Sequence, residues 1–461
     1  MVGVSGVRGI VGTDLTPELV ARYAAAFGVW ATRGRSGKRK VAVVLGRDAR
    51  TSGPMFAMAA TAGLLSVGCE VIDIGLTTTP GAQMAVEHHH AAGGIVLTAS
   101  HNPIEWNALK FIGPDGVFLD AAAGDAMRSL LGDGRLTRAN YAGLGAVRSD
   151  DQANARHLKQ VLALPEVPVA RITRRRFRVA LDTVRGAGGA VMPELLRRLG
   201  CRVTAINLET DGKFPRPPEP TPEHLAQLGK LVRSAKADVG LAVDPDVDRL
   251  AIVDEKGRAI GEDYTLAFAV RAVLGGGRSP RSQRGPAAHP VVVNLSTSLV
   301  VDDAARDYGS VVERVPVGEV NVARAILERG AVIGGEGNGG VILPSLHAGR
   351  DAPLAAALVL ALLAREDRTV SEIVASAPRY EIVKDKVGRG AALDAVYNAL
   401  RKQFADAAVD TQDGLRLAWP DRWLHVRPSN TEPIIRLIAE APTRALADDM
   451  VEEARRWCKA G

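Results

Sequence analysis

The sequence predicts an α/β protein: three similar domains, each a doubly covered, mainly parallel mixed sheet, and a smaller C-terminal α+β domain, arranged around a central cleft. Three observations predict it. One strand–helix–strand–helix–strand plan recurs three times in order. Its strands are near-continuous apolar runs, as in sheets buried on both faces. The plan then stops at about Val370, where the pattern changes. A chain of 461 residues is too large for one core and suits three or four domains of about 100 to 150 residues. The expected boundaries are 1–150, 151–256, 257–369 and 370–461.

The first copy begins with a strand over Val41 to Leu45. A turn through Gly46-Arg47-Asp48 and Ser52-Gly53-Pro54 opens a helix, with Ser52 as its cap and Pro54 in its first turn. A strand over Cys69 to Ile74, a helix from about Pro80 and a strand over Gly94 to Leu97 complete it, ending at Ser100. The second copy runs Phe177 to Leu181, a helix from about Gly188, Arg202 to Asn207, a helix from about Pro222, then Asp238 to Val243, ending at Asp244. The third runs Val291 to Asn294, a helix near Leu299, Val311 to Val315, a helix near Val320, then Ala331 to Ile333, ending at Glu336. The most polar loop of each copy thus follows its third strand. Sheets of this type bind ligands beyond the carboxyl ends of their strands, so three equivalent edges can face one cleft. Past Val370, a helix over Ala391 to Phe404, strands near Trp423 to Val426 and Ile434 to Ala439, and a helix over Thr443 to Cys458 form the fourth domain. The segment Gly275 to Pro286 reads as a surface loop.

Composition narrows the function. Apolar residues at 46% and charged residues at 24% are close to globular averages and argue against disorder. A net charge of +6 favours small anionic ligands but is far from the basic stripe of a nucleic-acid binder. The densest basic run, Arg171 to Arg178, reads as a solvated linker face. Three scattered cysteines, Cys69, Cys201 and Cys458, support neither a disulfide framework nor a zinc site, which suits the cytoplasm. The N-terminus has no export signal, and no stretch reaches about 18 apolar residues, so no membrane partner is expected. Assembly of identical copies is left open.

The loops carry the chemistry. Asp244-Pro245-Asp246-Val247-Asp248-Arg249 places three carboxylates at alternating positions, sharing one side of an extended chain or converging around a loop. Clustered carboxylates suit Mg²⁺, which takes a few of them plus phosphate oxygens. A calcium loop would use Glu255 at its twelfth position, but Arg249 stands at the sixth, where that loop needs glycine, and Leu250 to Val253 reads as a strand. A structural carboxylate–arginine network is the other alternative. Thr98-Ala99-Ser100-His101-Asn102-Pro103 puts Ser100 at a strand end, with Pro103 able to open a helix whose amides would attract anions. Alone, it reads equally as a capped turn or a nucleophile. Lys110 can stabilise charge or move a proton. Arg427-Pro428-Ser429-Asn430-Thr431-Glu432-Pro433 with Arg436 gathers guanidiniums, hydroxyls and amides suited to a phosphate dianion, or is a plain polar turn. The run Gly334 to Gly340 lacks the lysine of a phosphate-binding P-loop; its Glu336 and Asn338 can instead engage vicinal sugar hydroxyls. His88-His89-His90 reads as a helix end.

Together, in this order and across essentially the whole chain, these loops resemble the α-D-phosphohexomutase superfamily. The resemblance implies four domains around a cleft and an intramolecular phosphotransferase that interconverts hexose 6- and 1-phosphates through a phosphoserine and a hexose 1,6-bisphosphate. It implies Ser100 as the carrier and Asp244, Asp246 and Asp248, with Ser100, as Mg²⁺ ligands. It implies Glu336 and Asn338 as sugar readers, and Arg427, Ser429, Asn430, Thr431 and Arg436 as the grip on the non-reacting phosphate. Ser5-Gly6-Val7-Arg8-Gly9 also matches, placing Arg8 beside the phosphoserine with His101, Lys110 and Arg249. Two departures stand out: Pro245 and Val247 replace glycines common in the metal loop, and Asn338-Gly339-Gly340 replaces the Ser-Gly-His of many bacterial members. The substrate expected is glucosamine phosphate, with mannose or glucose phosphate as the alternative.

Overall fold

The computed structural model describes residues 2–3, 6–33, 40–132, 136–276, 289–388, 392–429 and 434–460. The repeat is visible in the strand order. Each of the first three sheets contains one four-stranded unit in the spatial order fourth–third–first–second. The first strands are Ala42–Arg47, Arg178–Asp182 and Val291–Asn294, and the second strands Glu70–Leu76, Arg202–Ile206 and Val312–Val315. The third strands are Gly93–Leu97, Val239–Val243 and Ile333–Glu336. The first three strands of each unit run parallel. The fourth, Trp106–Ile112, Leu250–Val253 or Gly340–Ile342, returns antiparallel to the third. Each polar loop is therefore the turn of a hairpin, a return that the sequence reading found only at Leu250 to Val253.

The first sheet extends the unit to seven strands. Gly6–Ile10 pairs antiparallel with Trp106–Ile112 and Val2–Gly3 lies outside it, while Val147–Ser149 adds at the other edge. Gly93–Leu97, Val239–Val243 and Val291–Asn294 are buried at every position, which explains their unbroken apolar runs. Ser52 starts the helix Gly53–Leu65 but does not cap it; its hydroxyl accepts from Asn107 Nδ2 at 2.8 Å instead. Thr78 does cap the helix Thr79–His88, through the Gly81 amide.

The second and third domains share one core. The helix Ala352–Glu366 is buried from Ala352 to Ala364, apolar on all sides as a central helix must be. It packs on Asp263–Gly275, Ala153–Ala163 and Val169–Arg175. The basic run is thus no linker: Ile172 is buried, and Arg171 Nε donates to the Ala364 carbonyl at the end of that helix, where cations are favoured.

The last domain is a five-stranded antiparallel sheet in the order Glu381–Gly388, Ile434–Ala441, Trp423–Pro428, Leu415–Ala418, Ala408–Asp410, with helices Leu393–Gln403 and Arg444–Ala460. Three of these strands are absent from the sequence reading: Glu381–Gly388 largely alternates, Ala408–Asp410 lies exposed at the sheet edge, and the buried Arg416 interrupts the short apolar run of Leu415–Ala418. It docks on the third domain through buried Glu440, which accepts from Ser298 Oγ and from Leu299 N at 2.9 Å and is held within its own sheet by Trp423 Nε1 at 2.6 Å. Among the described residues, no helix is long and apolar enough to cross a membrane.

Candidate active site

The turn after Gly93–Leu97 holds Ser100 with φ +48°, a left-handed conformation that costs a non-glycine residue about 1–3 kcal/mol. Local hydrogen bonds impose it. Thr98 Oγ1 accepts from the Ser100 amide at 2.9 Å and donates to buried Asp48 at 2.7 Å. Beneath the turn, the Arg50 guanidinium donates to four carbonyls: Ser100 and Asn102 at 2.7 and 2.6 Å, Pro103 and Trp106 at 2.7 and 2.8 Å. Pro103 opens no helix; the chain passes straight into the strand Trp106–Ile112 because Arg50 has turned these carbonyls inward. The polarity expected there therefore comes from side chains rather than helix amides.

Ser100 Oγ donates to Asp244 Oδ2 at 2.9 Å, joining the first domain's loop to the second's. The three aspartates converge around a turn, not along an extended face, and offer oxygens within 4.8 Å of one another, all buried. Asp244 Oδ1 accepts the Asp248 and Arg249 amides, each at 3.2 Å, which closes the turn. Val247, the residue at a common glycine position, sits at φ +64° with its side chain fully buried in the shared core. Burial holds the β-branched side chain where glycine would be unstrained. Glu255 points elsewhere, accepting from the Ser371 hydroxyl and amide, so no calcium loop forms.

Lys110 Nζ lies 2.8 Å from Asp246 Oδ2 and 3.8 Å from Asp248 Oδ2. Thr79, at the start of its helix, donates its hydroxyl to Asp246 Oδ2 at 2.6 Å. Burial, then the neighbouring Asp246 and Asp248 charges, push the Asp244 carboxyl well above the usual range. Burial acts the same way on Asp246, but Lys110 and Thr79 outweigh it and hold that group below the range. Asp246 Oδ1 and Asp248 Oδ1 are buried without a hydrogen-bond partner. Three buried carboxylates with two orphaned oxygens and an oxygen-only donor set fit a small divalent cation.

Arg8 Nη1 donates to Asn102 Oδ1 at 2.7 Å, beside the Ser100 turn. His101 Nδ1 lies 3.4 Å from Ser100 Oγ; burial, then Arg249 and Arg8, push its imidazole well below the usual value, so it is neutral. Arg249 reaches Glu219 Oε1 at 2.9 Å.

In the third domain, both Glu336 oxygens are engaged. Oε1 accepts from Asn294 Nδ2 at 2.9 Å and from the Gly318 amide at 3.2 Å; Oε2 accepts from Arg350 Nη1 at 2.6 Å and Asn338 Nδ2 at 3.4 Å. Burial alone would raise this carboxyl, but Arg350 and Asn294 hold it below the usual range. A sugar hydroxyl donating to Glu336 displaces one of these, and Asn338 is the weakest held.

In the fourth domain, Arg427 Nε donates to Asp413 Oδ2 at 2.8 Å, and the Val317 amide donates to the same oxygen at 3.1 Å. Arg436 stands opposite Arg427 on one neighbouring strand and opposite Lys386 on the other. The row sets basic residues side by side in cross-strand register, with Asp413 paired to Arg427. Ser429 leaves the strand with its amide on the Ile434 carbonyl. Asn430 and Thr431 lie outside the described residues.

Hydrogen bonds thus run from Ser100 through the aspartates, Arg350, Glu336 and the Val317–Gly318 turn to Asp413 and Arg427. The sequence reading missed Arg50, Asp48, Thr79, Arg350 and Asp413. Asp48 and Arg50 read only as part of a turn, Thr79 and Arg350 lie beside helix-start signals at Thr78-Thr79-Pro80 and Asp351-Ala352-Pro353, and Asp413 lies outside any motif.

Comparison with known proteins agrees along the whole chain. The description phosphoglucomutase/phosphomannomutase matches as α/β/α domain I over residues 1–134, domain II over 155–257, domain III over 262–380 and a C-terminal domain over 382–456. A Thermococcus kodakarensis protein named phosphoglucomutase/phosphomannomutase is 38% identical, over 98% of this chain and 96% of its own. A Methanopyrus kandleri protein named "probable phosphoglucosamine mutase" is 38% identical, over 98% and 97%. The crystal structure of a phosphoglucomutase/phosphomannomutase family protein from Burkholderia thailandensis superposes with a TM-score of 0.84 at 25% identity, covering 100% of this chain and 98% of that one.

Proposed function

The chain belongs to the phosphoglucomutase/phosphomannomutase family of phosphohexomutases, and on that premise we propose that it converts glucosamine 6-phosphate to glucosamine 1-phosphate through phospho-Ser100 and a hexose 1,6-bisphosphate. The observation that carries this reading is Ser100 Oγ at 2.9 Å from Asp244, within a buried carboxylate cluster that has two orphaned oxygens. Asp244, Asp246 and Asp248 would hold Mg²⁺, which when bound neutralises charge on the transferring phosphoryl group.

The rest falls to the protein. The sugar's free hydroxyl oxygen bonds to phosphorus as the bond from phosphorus to Ser100 Oγ breaks, and the hydroxyl proton is returned to Ser100. Lys110 stays an ammonium: burial alone would lower it, but Asp246 and Asp248 hold it above its usual value, so it serves as fixed positive charge. Arg8 and Arg249 add charge beside the turn. Once the bisphosphate has turned round, Ser100 takes back the other phosphoryl group while Arg427, Ser429, Asn430, Thr431 and Arg436 grip the one that stays. Glu336 and Asn338 meet the sugar hydroxyls in either orientation.

The amino-sugar choice is supported by the name of the Methanopyrus relative. The Thermococcus relative, equally identical, favours phosphomannomutase and phosphoglucomutase activity as a second reading. A coupled assay with Mg²⁺ and trace bisphosphate, comparing glucosamine, glucose and mannose phosphates, separates the two. Ser100→Ala should remove turnover while leaving the fold intact by circular dichroism; near-normal turnover would sink the carrier assignment.

A further inference from the structure

Arg350 is buried between three carboxylates that come from two different loops and a helix. Its Nη2 donates to Asp248 Oδ2 at 2.5 Å and its Nη1 to Glu336 Oε2 at 2.6 Å. Its Nε lies 3.3 Å from Glu319 Oε2, at the start of the helix Glu319–Arg329, and its amide donates to Glu319 Oε1 at 3.2 Å. One planar cation therefore touches both an aspartate of the metal loop and the glutamate of the sugar loop, as only a fork of fixed geometry can. The stem of that fork crosses Gly340: a Cβ there would lie 2.2 Å from Arg350 Cδ and 2.9 Å from Cγ. Gly340 has no need of positive φ, so the close passage of Arg350 accounts for the missing side chain.

We propose that Arg350 is a positioning residue that ties the metal loop to the sugar loop, fixing the bearing of Glu336 while restraining the cation affinity of the aspartates, and that Gly340 is glycine to give it passage. The inference rests on the mutase reading for its kinetic arm alone. A guanidinium on Asp248 competes with any cation there and occupies one of that residue's oxygens. Loosening Arg350 should therefore strengthen Mg²⁺ binding while weakening catalysis, because Glu336 loses the shortest and the one charged of its four hydrogen bonds. A general structural defect would weaken both together.

The test uses the full chain without phosphate on Ser100. Mg²⁺ alone is titrated by calorimetry, and kcat and KM are measured in parallel for wild type, Arg350→Ala, Arg350→Lys, Gly340→Ala and the double variant Gly340→Ala/Arg350→Ala. Arg350→Ala and Gly340→Ala should each bind Mg²⁺ about threefold to tenfold more tightly and turn over at least about tenfold more slowly. The double variant should match Arg350→Ala, since both changes act through one side chain. Arg350→Lys should keep near-normal Mg²⁺ affinity but stay slow, because a single ammonium cannot serve both carboxylates. Additive effects, Mg²⁺ affinity within twofold of wild type in Gly340→Ala, or affinity and turnover falling together would each overturn the proposal. If the wild type turned over no hexose phosphate, the mutase reading would fail, and calorimetry would still decide the tie between the loops.

Discussion

Replacing Arg50 by lysine tests what holds Ser100 in its left-handed turn. Arg50 is 1% exposed, stacks at 5.0 Å over the Phe214 ring and donates to four carbonyls of the turn. Hydrogen bonds that involve a charged group contribute about 1.5–3 kcal/mol each. Lysine keeps the charge beside Asp48 but presents it at one point, and reaches two of the four carbonyls at most. The two lost bonds cost about 3–6 kcal/mol. The strain at Ser100 is about 1–3 kcal/mol, so the loss exceeds it and the turn relaxes. A displacement of Ser100 Oγ by about 1 Å lowers kcat roughly 100-fold. Arg427, proposed to grip the phosphate that stays, is held by Asp413 of its own domain, so the KM for hexose phosphate should stay within about twofold of wild type. Steady-state coupled kinetics measure the loss, and intact-mass spectrometry reports phosphate on Ser100. A kcat within about threefold of wild type, about 0.65 kcal/mol in the barrier, would refute the argument that Arg50 sets the turn.

Other outcomes follow from the same structure. Mg²⁺ should raise the melting temperature, with about 2.7 kcal/mol of stabilisation at a hundred times its Kd; an undiminished shift in Asp246→Asn would count against the cluster as the site. Glu440→Ala strips the acceptor from the Leu299 and Trp423 N–H groups, at about 1–3 kcal/mol for each buried donor left unpaired. Limited proteolysis should then release the C-terminal domain sooner than in wild type, and equal rates would show that Glu440 does not hold the interface. Asp263 is pushed up to about 7, chiefly by burial. A carboxyl raised in the folded state binds more protons folded than unfolded, so its contribution is present at low pH and lost as pH rises from about 4 to about 7. Asp263→Asn keeps the Oδ1 that accepts the Ser298 amide at 2.9 Å. It should melt above wild type at pH 8, by a margin that shrinks towards pH 4; a margin independent of pH would refute the shift.

The parts legible in the sequence are those encoded within a few residues. Val239–Val243 and Val291–Asn294 read as strands because burial on both faces leaves unbroken apolar runs. The Ser100 and Asp244 loops stood out because their polar residues crowd together directly after such strands. The antiparallel returns were harder: Gly340–Ile342 is three residues long, too short for a pattern. In the last domain, Ala408–Asp410 has exposed edge positions and little apolar signal. The common core of the second and third domains was hidden because an apolar helix does not say which domain it will fill.

The sequence by itself determined the threefold plan, the three aspartates and the serine facing them, since each rests on residue type and short spacing. Tertiary structure alone decided how those loops are held. Arg50 reaches its four carbonyls across about 50 residues and Arg350 reaches Asp248 across 102. A lone arginine in a sequence is indistinguishable from a solvated one; burial among oppositely charged groups from distant segments makes it an anchor. The same holds for Val247 and Gly340. Packing on the shared core keeps the first in a glycine-like turn, and the passage of Arg350 keeps the second bare.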